Sequence, residues 1–180
     1  MTQRIFGIVG WKNSGKTTLM ARLIDEFTRR GLVVSAIKHA HHRFDIDHPG
    51  RDSYRFRESG ARQGALVSPK RWALMHELRD EPKPELDDRL GQVGPCDLVL
   101  VEGFKKGTHP KIEARSPRSL TQDRLSDDDP AIVAVATDGE TETGTLPRFD
   151  VNDISGMADF IANHVGIGAG ARVKDDAKAS

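Results

Sequence analysis

The sequence has a single cysteine, Cys96, among 180 residues. One thiol excludes a disulfide framework and any zinc site built from several thiolates. No apolar run approaches the ~18 residues that a membrane-crossing helix needs. The N-terminus enters a strand pattern at once, without a basic leader or a long apolar stretch. Cytoplasmic residence is therefore the expectation. Neither sign of charge dominates, since 27 Lys and Arg face 27 Asp and Glu. That balance gives no argument for nucleic acid or an anionic membrane as a partner. Internal repeats are absent too. What is present is 37 % apolar and 30 % charged residues, a globular composition with enough chain to bury a core.

Short apolar runs alternate with helical periods. Residues 5–9 form a nearly all-apolar run, which suits a strand buried on both faces of a parallel sheet. Leu19, Met20, Leu23, Ile24 and Phe27 then recur at spacings of three and four, and Gly31 marks a helix stop. A second apolar run follows at 32–37. Further strands are expected at 65–68, 72–76, 98–101, 111–114 and 131–136, with a turn at Pro69 and Lys70. Helices are expected at 51–59, 85–90 and 154–165. The alternation predicts a three-layer α/β fold with a mostly parallel sheet and an added antiparallel strand pair. Residues 1–166 read as one domain and 167–180 as a flexible tail. Residues 116–129 are polar and charged, and their composition predicts poor order.

Gly10-Trp11-Lys12-Asn13-Ser14-Gly15-Lys16-Thr17 fits the P-loop pattern G-x-x-x-x-G-K-[ST] in full. Glycines at both ends allow backbone angles and close approaches that a Cβ blocks. The loop turns N–H groups inward at the positive end of the next helix, which makes an anion nest. The candidate nucleotide-binding residues are Gly10, Lys12, Asn13, Ser14, Gly15, Lys16, Thr17 and Thr18. Lys16 supplies a point charge for the β- and γ-phosphates, and the Thr17 hydroxyl is a hard oxygen ligand for Mg²⁺. A second magnesium-holding acid is expected at the end of a neighbouring strand, and Glu102 follows the run 98–101 directly. Asp97 precedes the same run, so it belongs at the opposite edge without a catalytic role.

Four of the seven histidines fall between His39 and His48, in a loop after the second strand. Asp45, Asp47 and Asp52 are candidates to hold magnesium or its waters. Lys38 and His39 are candidates to touch phosphate or a partner's ligand. Imidazole and carboxylate also suit zinc or nickel, so a soft-metal site around His41 and His42 is the rival expectation. Trp72, Leu74 and Met75 are expected to be core or dimer contacts. Lys105, Lys106, His109 and Lys111 form a basic cluster that suits a phosphate-bearing small molecule or an acidic partner surface.

Together these segments resemble the molybdopterin-guanine dinucleotide biosynthesis adaptor family, MobB. The likeness rests on GWKNSGKTTL at 10–19, KHAHHRFDIDHPGRDSYR at 38–55, RWALMHEL at 71–78, DLVLVEGFK at 97–105 and HPKIEAR at 109–115. The second and fourth of these carry its specificity, because a P-loop is shared by many families. The resemblance implies a P-loop protein that binds GTP with Mg²⁺ and has at most weak GTPase activity. It implies a homodimer with intertwined sheets that assists a partner guanylyltransferase of the MobA type. It also implies magnesium contacts at Thr17, Asp52 and Glu102. Base recognition in related proteins comes from a loop after a late strand, which points here to Thr137 and Asp138. An aspartate accepts two hydrogen bonds from guanine N1–H and N2–H₂, which adenine does not offer. The N-K-x-D guanine signature of Ras-like GTPases does not occur. Two alternatives to an adaptor stay open: a P-loop enzyme such as a small-molecule kinase or dethiobiotin-synthetase-like ligase, and a metallochaperone GTPase using the histidine loop.

Overall fold

The computed structural model describes residues 3–40 and 47–168. In chain order the elements are β1 (Ile5–Val9), α1 (Lys16–Arg29), β2 (Val34–Lys38), α2 (Asp52–Glu58), β3 (Gln63–Val67), β4 (Trp72–His76), α3 (Leu86–Leu90), β5 (Leu98–Glu102), β6 (Lys111–Arg115), β7 (Ile132–Thr137), β8 (Arg148–Asp150) and α4 (Ile154–His164). Two compact units divide the chain: residues 40–88 form the smaller, and the segments on either side of them form the larger.

The larger unit holds a six-stranded sheet in the order β2-β5-β1-β6-β7-β8. Every neighbouring pair in it is parallel. One face carries Phe6, Ile8, Leu98, Leu100, Ile112 and Ala134, which pack on Leu19, Leu23 and Phe27 of α1 and on Met157 and Ile161 of α4. The three-and-four spacing of α1 places its apolar stripe on this face. Burying each such Leu or Phe is worth about 1.5–3 kcal/mol. α1 ends as expected at Gly31, whose N–H donates to Thr28 O while Leu32 N–H donates to Phe27 O. That reciprocal pair satisfies carbonyls that the helix end leaves open. α4 starts on Asp153, whose carboxylate accepts the Gly156 N–H at 3.0 Å.

The other face of β6 carries charge. Lys111, Glu113 and Arg115 alternate with Ile112 and Ala114, yet Lys111 and Glu113 are fully buried. Their cover is the segment 116–129, whose composition predicted poor order. Glu113 accepts the N–H groups of Leu125 at 2.9 Å and Ser126 at 3.1 Å, and Lys111 Nζ donates to Asp129 at 2.8 Å. Order there comes from partners on β6 rather than from apolar residues within the segment. Ile167, assigned by composition to the tail, is likewise a core residue, and its N–H donates to Ala162 O.

The smaller unit contains α2 and an antiparallel β3–β4 hairpin. Its turn closes through Ser68 N–H to Arg71 O at 2.9 Å, around the expected Pro69 and Lys70. Val67 opposes Trp72 and Ala65 opposes Leu74, so these four share one face. Val67 is 82 % exposed, Trp72 70 % and Leu74 53 %. Trp72 and Leu74 are therefore not core residues of this chain. Among the described residues, no helix is long and apolar enough to cross a membrane.

Candidate functional site

β1 sits between β5 and β6, and the chain reverses its direction of travel across the sheet there. In open parallel sheets, ligands bind at such a switch point, outside the C-terminal strand ends. The 10–17 loop leaves β1 at that edge. Gly10 has φ +149°, and a Cβ on it would lie 2.4 Å from Ala114 O and 2.5 Å from Ser14 Oγ. Gly15 has φ +84° and caps α1. No side chain is tolerated at the first position, and a left-handed angle favours glycine at the second. Asn13 also adopts a left-handed angle, which asparagine accepts more readily than most residues. The Ser14 hydroxyl is buried and has no hydrogen-bond partner among the described residues.

Lys16 arches back over the loop, and its Nζ donates to Trp11 O at 2.6 Å. Burial holds its ammonium below the usual lysine range; Glu102 opposes that shift, while Lys105 and Lys38 add to it. Thr17 and Thr18 open α1 beside it. The Thr17 hydroxyl donates to Glu102, at 3.0 Å to Oε1 and 3.2 Å to Oε2. Glu102 is the last residue of β5, and its carboxylate is buried, as the sequence placed it. Lys38 Nζ lies 3.1 Å from Thr17 Oγ1 and 3.2 Å from Glu102 Oε1. The Thr17 hydroxyl and Glu102 carboxylate are hard oxygen donors, the set that suits Mg²⁺. A cation already standing against both shows that the spot accepts positive charge.

The 116–129 segment also reaches the loop. Leu120 N–H donates to Lys12 O at 3.2 Å, and Trp11 Nε1–H donates to Asp123 O at 2.6 Å. Lys105 Nζ sits 3.4 Å from the centroid of the Trp11 ring. Burial lowers the Lys105 pKa, with Glu113 acting against the shift. A cavity of about 150 Å³ opens beside Trp11, between 114–123 and 137–141.

Other sequence candidates fare differently. Asp138 lies just past β7, at the same sheet edge, and pairs with Arg118. Nothing in the sequence pattern pointed to Arg118. Asp52 opens α2 in the smaller unit and is exposed. Asp47 is buried and accepts the Ser53 hydroxyl at 2.5 Å, which is a packing role. Asp97 accepts the Val33 N–H at 2.8 Å, at the edge away from the loop. The expected basic cluster breaks up, because Lys111 is buried against Asp129 while Lys105 covers Trp11. His39 stacks on Phe104 with ring centroids 4.7 Å apart, and Phe104 has a left-handed φ of 49°. His41, His42 and Asp45 lie outside the described residues. Among the described residues, no group of three or more His, Cys, Asp or Glu side chains is placed to hold a metal.

The family model described as "MobB: Molybdopterin guanine dinucleotide synthesis protein B" matches residues 5–138. A molybdopterin-guanine dinucleotide biosynthesis adapter protein of Haemophilus influenzae is 42 % identical over 171 residues, covering 93 % of both chains. The Escherichia coli protein of the same name is 37 % identical over 165 residues, covering 87 % of this chain and 90 % of that one. A crystal structure of a MobB homolog from Bacillus stearothermophilus superposes with a TM-score of 0.68 at 28 % identity, covering 92 % of this chain and 100 % of that one. The fold is that of the P-loop NTPases, with a mostly parallel sheet and an added antiparallel pair. With the family model matching most of the chain and these relatives matching nearly all of it, this protein belongs to the MobB family.

Proposed function

We propose that this protein is a GTP-binding adaptor in molybdopterin guanine dinucleotide biosynthesis. The observation that carries the reading is the convergence of the Thr17 hydroxyl and Glu102 carboxylate, 3.0 Å apart, at the mouth of the P-loop. Main-chain N–H groups at the start of α1 bind the phosphates there, at the helix's positive end. Lys16 turns from Trp11 O toward the polyanion, and the buried Ser14 hydroxyl gains the acceptor it lacks among the described residues. Thr17 and Glu102 would hold Mg²⁺, which would supply positive charge to offset that of the phosphates.

Asp138 reads the guanine edge from the same side of the sheet, after Arg118 has released it. The adaptor role follows the names of the relatives, and in this reading the partner is a guanylyltransferase of the MobA type. Hydrolysis of GTP is slow at most. Two copies associate, and the exposed apolar face of Val67, Trp72 and Leu74 supports that step.

Calorimetric titration with GTP and ATP, with and without Mg²⁺, tests the reading. GTP should bind more tightly than ATP, and Mg²⁺ should strengthen it. Lys16→Ala should weaken GTP by roughly 10–150-fold, the value of a hydrogen bond to a charged group. Equal affinity for a folded Lys16→Ala variant refutes the phosphate site.

A further inference from the structure

The parallel register of β2 on β5 sets Lys38 directly beside Glu102. Three groups then meet at one point. Thr17 donates its hydroxyl proton to Glu102, and Lys38 donates to the Thr17 oxygen at 3.1 Å while lying 3.2 Å from Glu102 Oε1. The Glu102 side chain is only 9 % exposed, so its charge needs a counter-ion close by. Lys38 supplies that charge from a side chain that is 55 % exposed. A largely solvated lysine stem changes rotamer at small cost.

The two oxygens that Lys38 touches are the two assigned above to Mg²⁺. A magnesium ion requires them at about 2.0–2.1 Å. An ammonium at hydrogen-bond distance from both competes with the ion for the same space and the same lone pairs. We propose that Lys38 is a placeholder cation that occupies the metal position in the nucleotide-free protein and makes metal binding depend on nucleotide. The inference rests on the magnesium reading of Thr17 and Glu102.

The neighbouring charges give the dependence its direction. Lys16 already feels the positive charges of Lys38 and Lys105, which both push its pKa down. Adding a divalent ion alone leaves the displaced ammonium with no carboxylate to face. A triphosphate brings several negative charges to the same mouth. Lys38 then has somewhere to go, and Glu102 is free for the metal. Without nucleotide, the ammonium keeps the carboxylate neutralised and the metal out.

Mn²⁺ titration followed by electron paramagnetic resonance reads this without any measure of activity. The nucleotide-free wild type should bind Mn²⁺ weakly, and GTP should tighten it at least tenfold. Nucleotide-free Lys38→Met should bind Mn²⁺ about tenfold more tightly than nucleotide-free wild type, as fits the loss of one charged hydrogen-bond competitor. Lys38→Arg should behave like wild type. Lys38→Gln is a second uncharged variant should Lys38→Met fail to fold by circular dichroism. The proposal is overturned if a folded uncharged variant binds Mn²⁺ no more tightly than wild type. Glu102→Gln with GTP separates the two levels. If it leaves Mn²⁺ affinity unchanged, the magnesium reading falls and takes this inference with it. If it weakens Mn²⁺ while the Lys38 variants match wild type, only the placeholder role is lost.

Discussion

Two buried glutamates flank β1 at almost the same height, Glu102 opposite Ile8 on one side and Glu113 opposite Val9 on the other. Each stands on a parallel strand and each loses its water. Their partners differ in kind. Glu113 accepts two main-chain N–H groups, from Leu125 and Ser126, and the guanidinium of the nearly buried Arg115 at 2.8 Å. Arg115 is itself tied to Ser126 Oγ at 2.7 Å and Thr141 Oγ1 at 3.2 Å. Glu102 holds only a hydroxyl and an exposed ammonium among the contacts described above. The first carboxylate is closed into the fold by groups that cannot leave. The second is neutralised by groups that can be exchanged. Burial alone does not separate these two acids; the exposure of their partners does.

Breaking each glutamate in turn puts that contrast to the test. Glu113→Ala strands a buried guanidinium and frees the 116–129 segment, so stability should fall by about 3–5 kcal/mol in urea denaturation. A loss under about 1 kcal/mol would mean that the segment does not depend on this clamp. Glu102→Gln keeps the shape and removes a charge whose counter-ion can return to water. It should change stability by under about 1 kcal/mol, yet weaken Mg²⁺·GTP about tenfold in calorimetry. The reverse pattern, large in stability and absent in affinity, erases the distinction.

Glu26 sets the lower end of the scale. Hydrogen bonds from Arg29 and Arg30 hold its carboxyl below the ordinary range. A lowered pKa gives stability that is present above the unfolded-state value and lost as the pH falls through the folded one. Wild type should therefore lose a little stability on acidification in that window, and Glu26→Gln should flatten that part of the profile. Thermal melts across the acid range read the difference. Arg29 is 69 % exposed and solvent screens its share of the pairing, so the gap should stay at about 1 kcal/mol.

Much of the scaffold was legible because local chemistry leaves few choices. The 10–17 loop needs glycine where Ala114 O presses on Gly10 and where Gly15 turns left-handed. β5 reads as a strand because residues 98–101 are an unbroken apolar run, and the structure buries all five of its residues. β8 escaped notice since Arg148, Phe149 and Asp150 make a short edge strand without an apolar run. The 116–129 segment was misread for a related reason. Its order is supplied by Lys111, Glu113 and Arg115, whose alternation looks like a solvated face until something covers it. The pairing of Asp138 with Arg118 left no local trace, as the two are 20 residues apart.

The sequence by itself determined the glycine-framed loop at 10–17, the strand run that ends in Glu102, and the apolar stripes that pack α1 and α4 onto the sheet. These depend on backbone angles and on periods of two and 3.6, which neighbouring residues encode. Only the tertiary structure decided which buried acid is open to exchange. Thr17 meets Glu102 across 85 residues of chain, and Lys38 joins them through the register of one parallel strand pair. Such meetings follow from strand order and register, which are set by the packing of the whole sheet and are written at no single place in the chain.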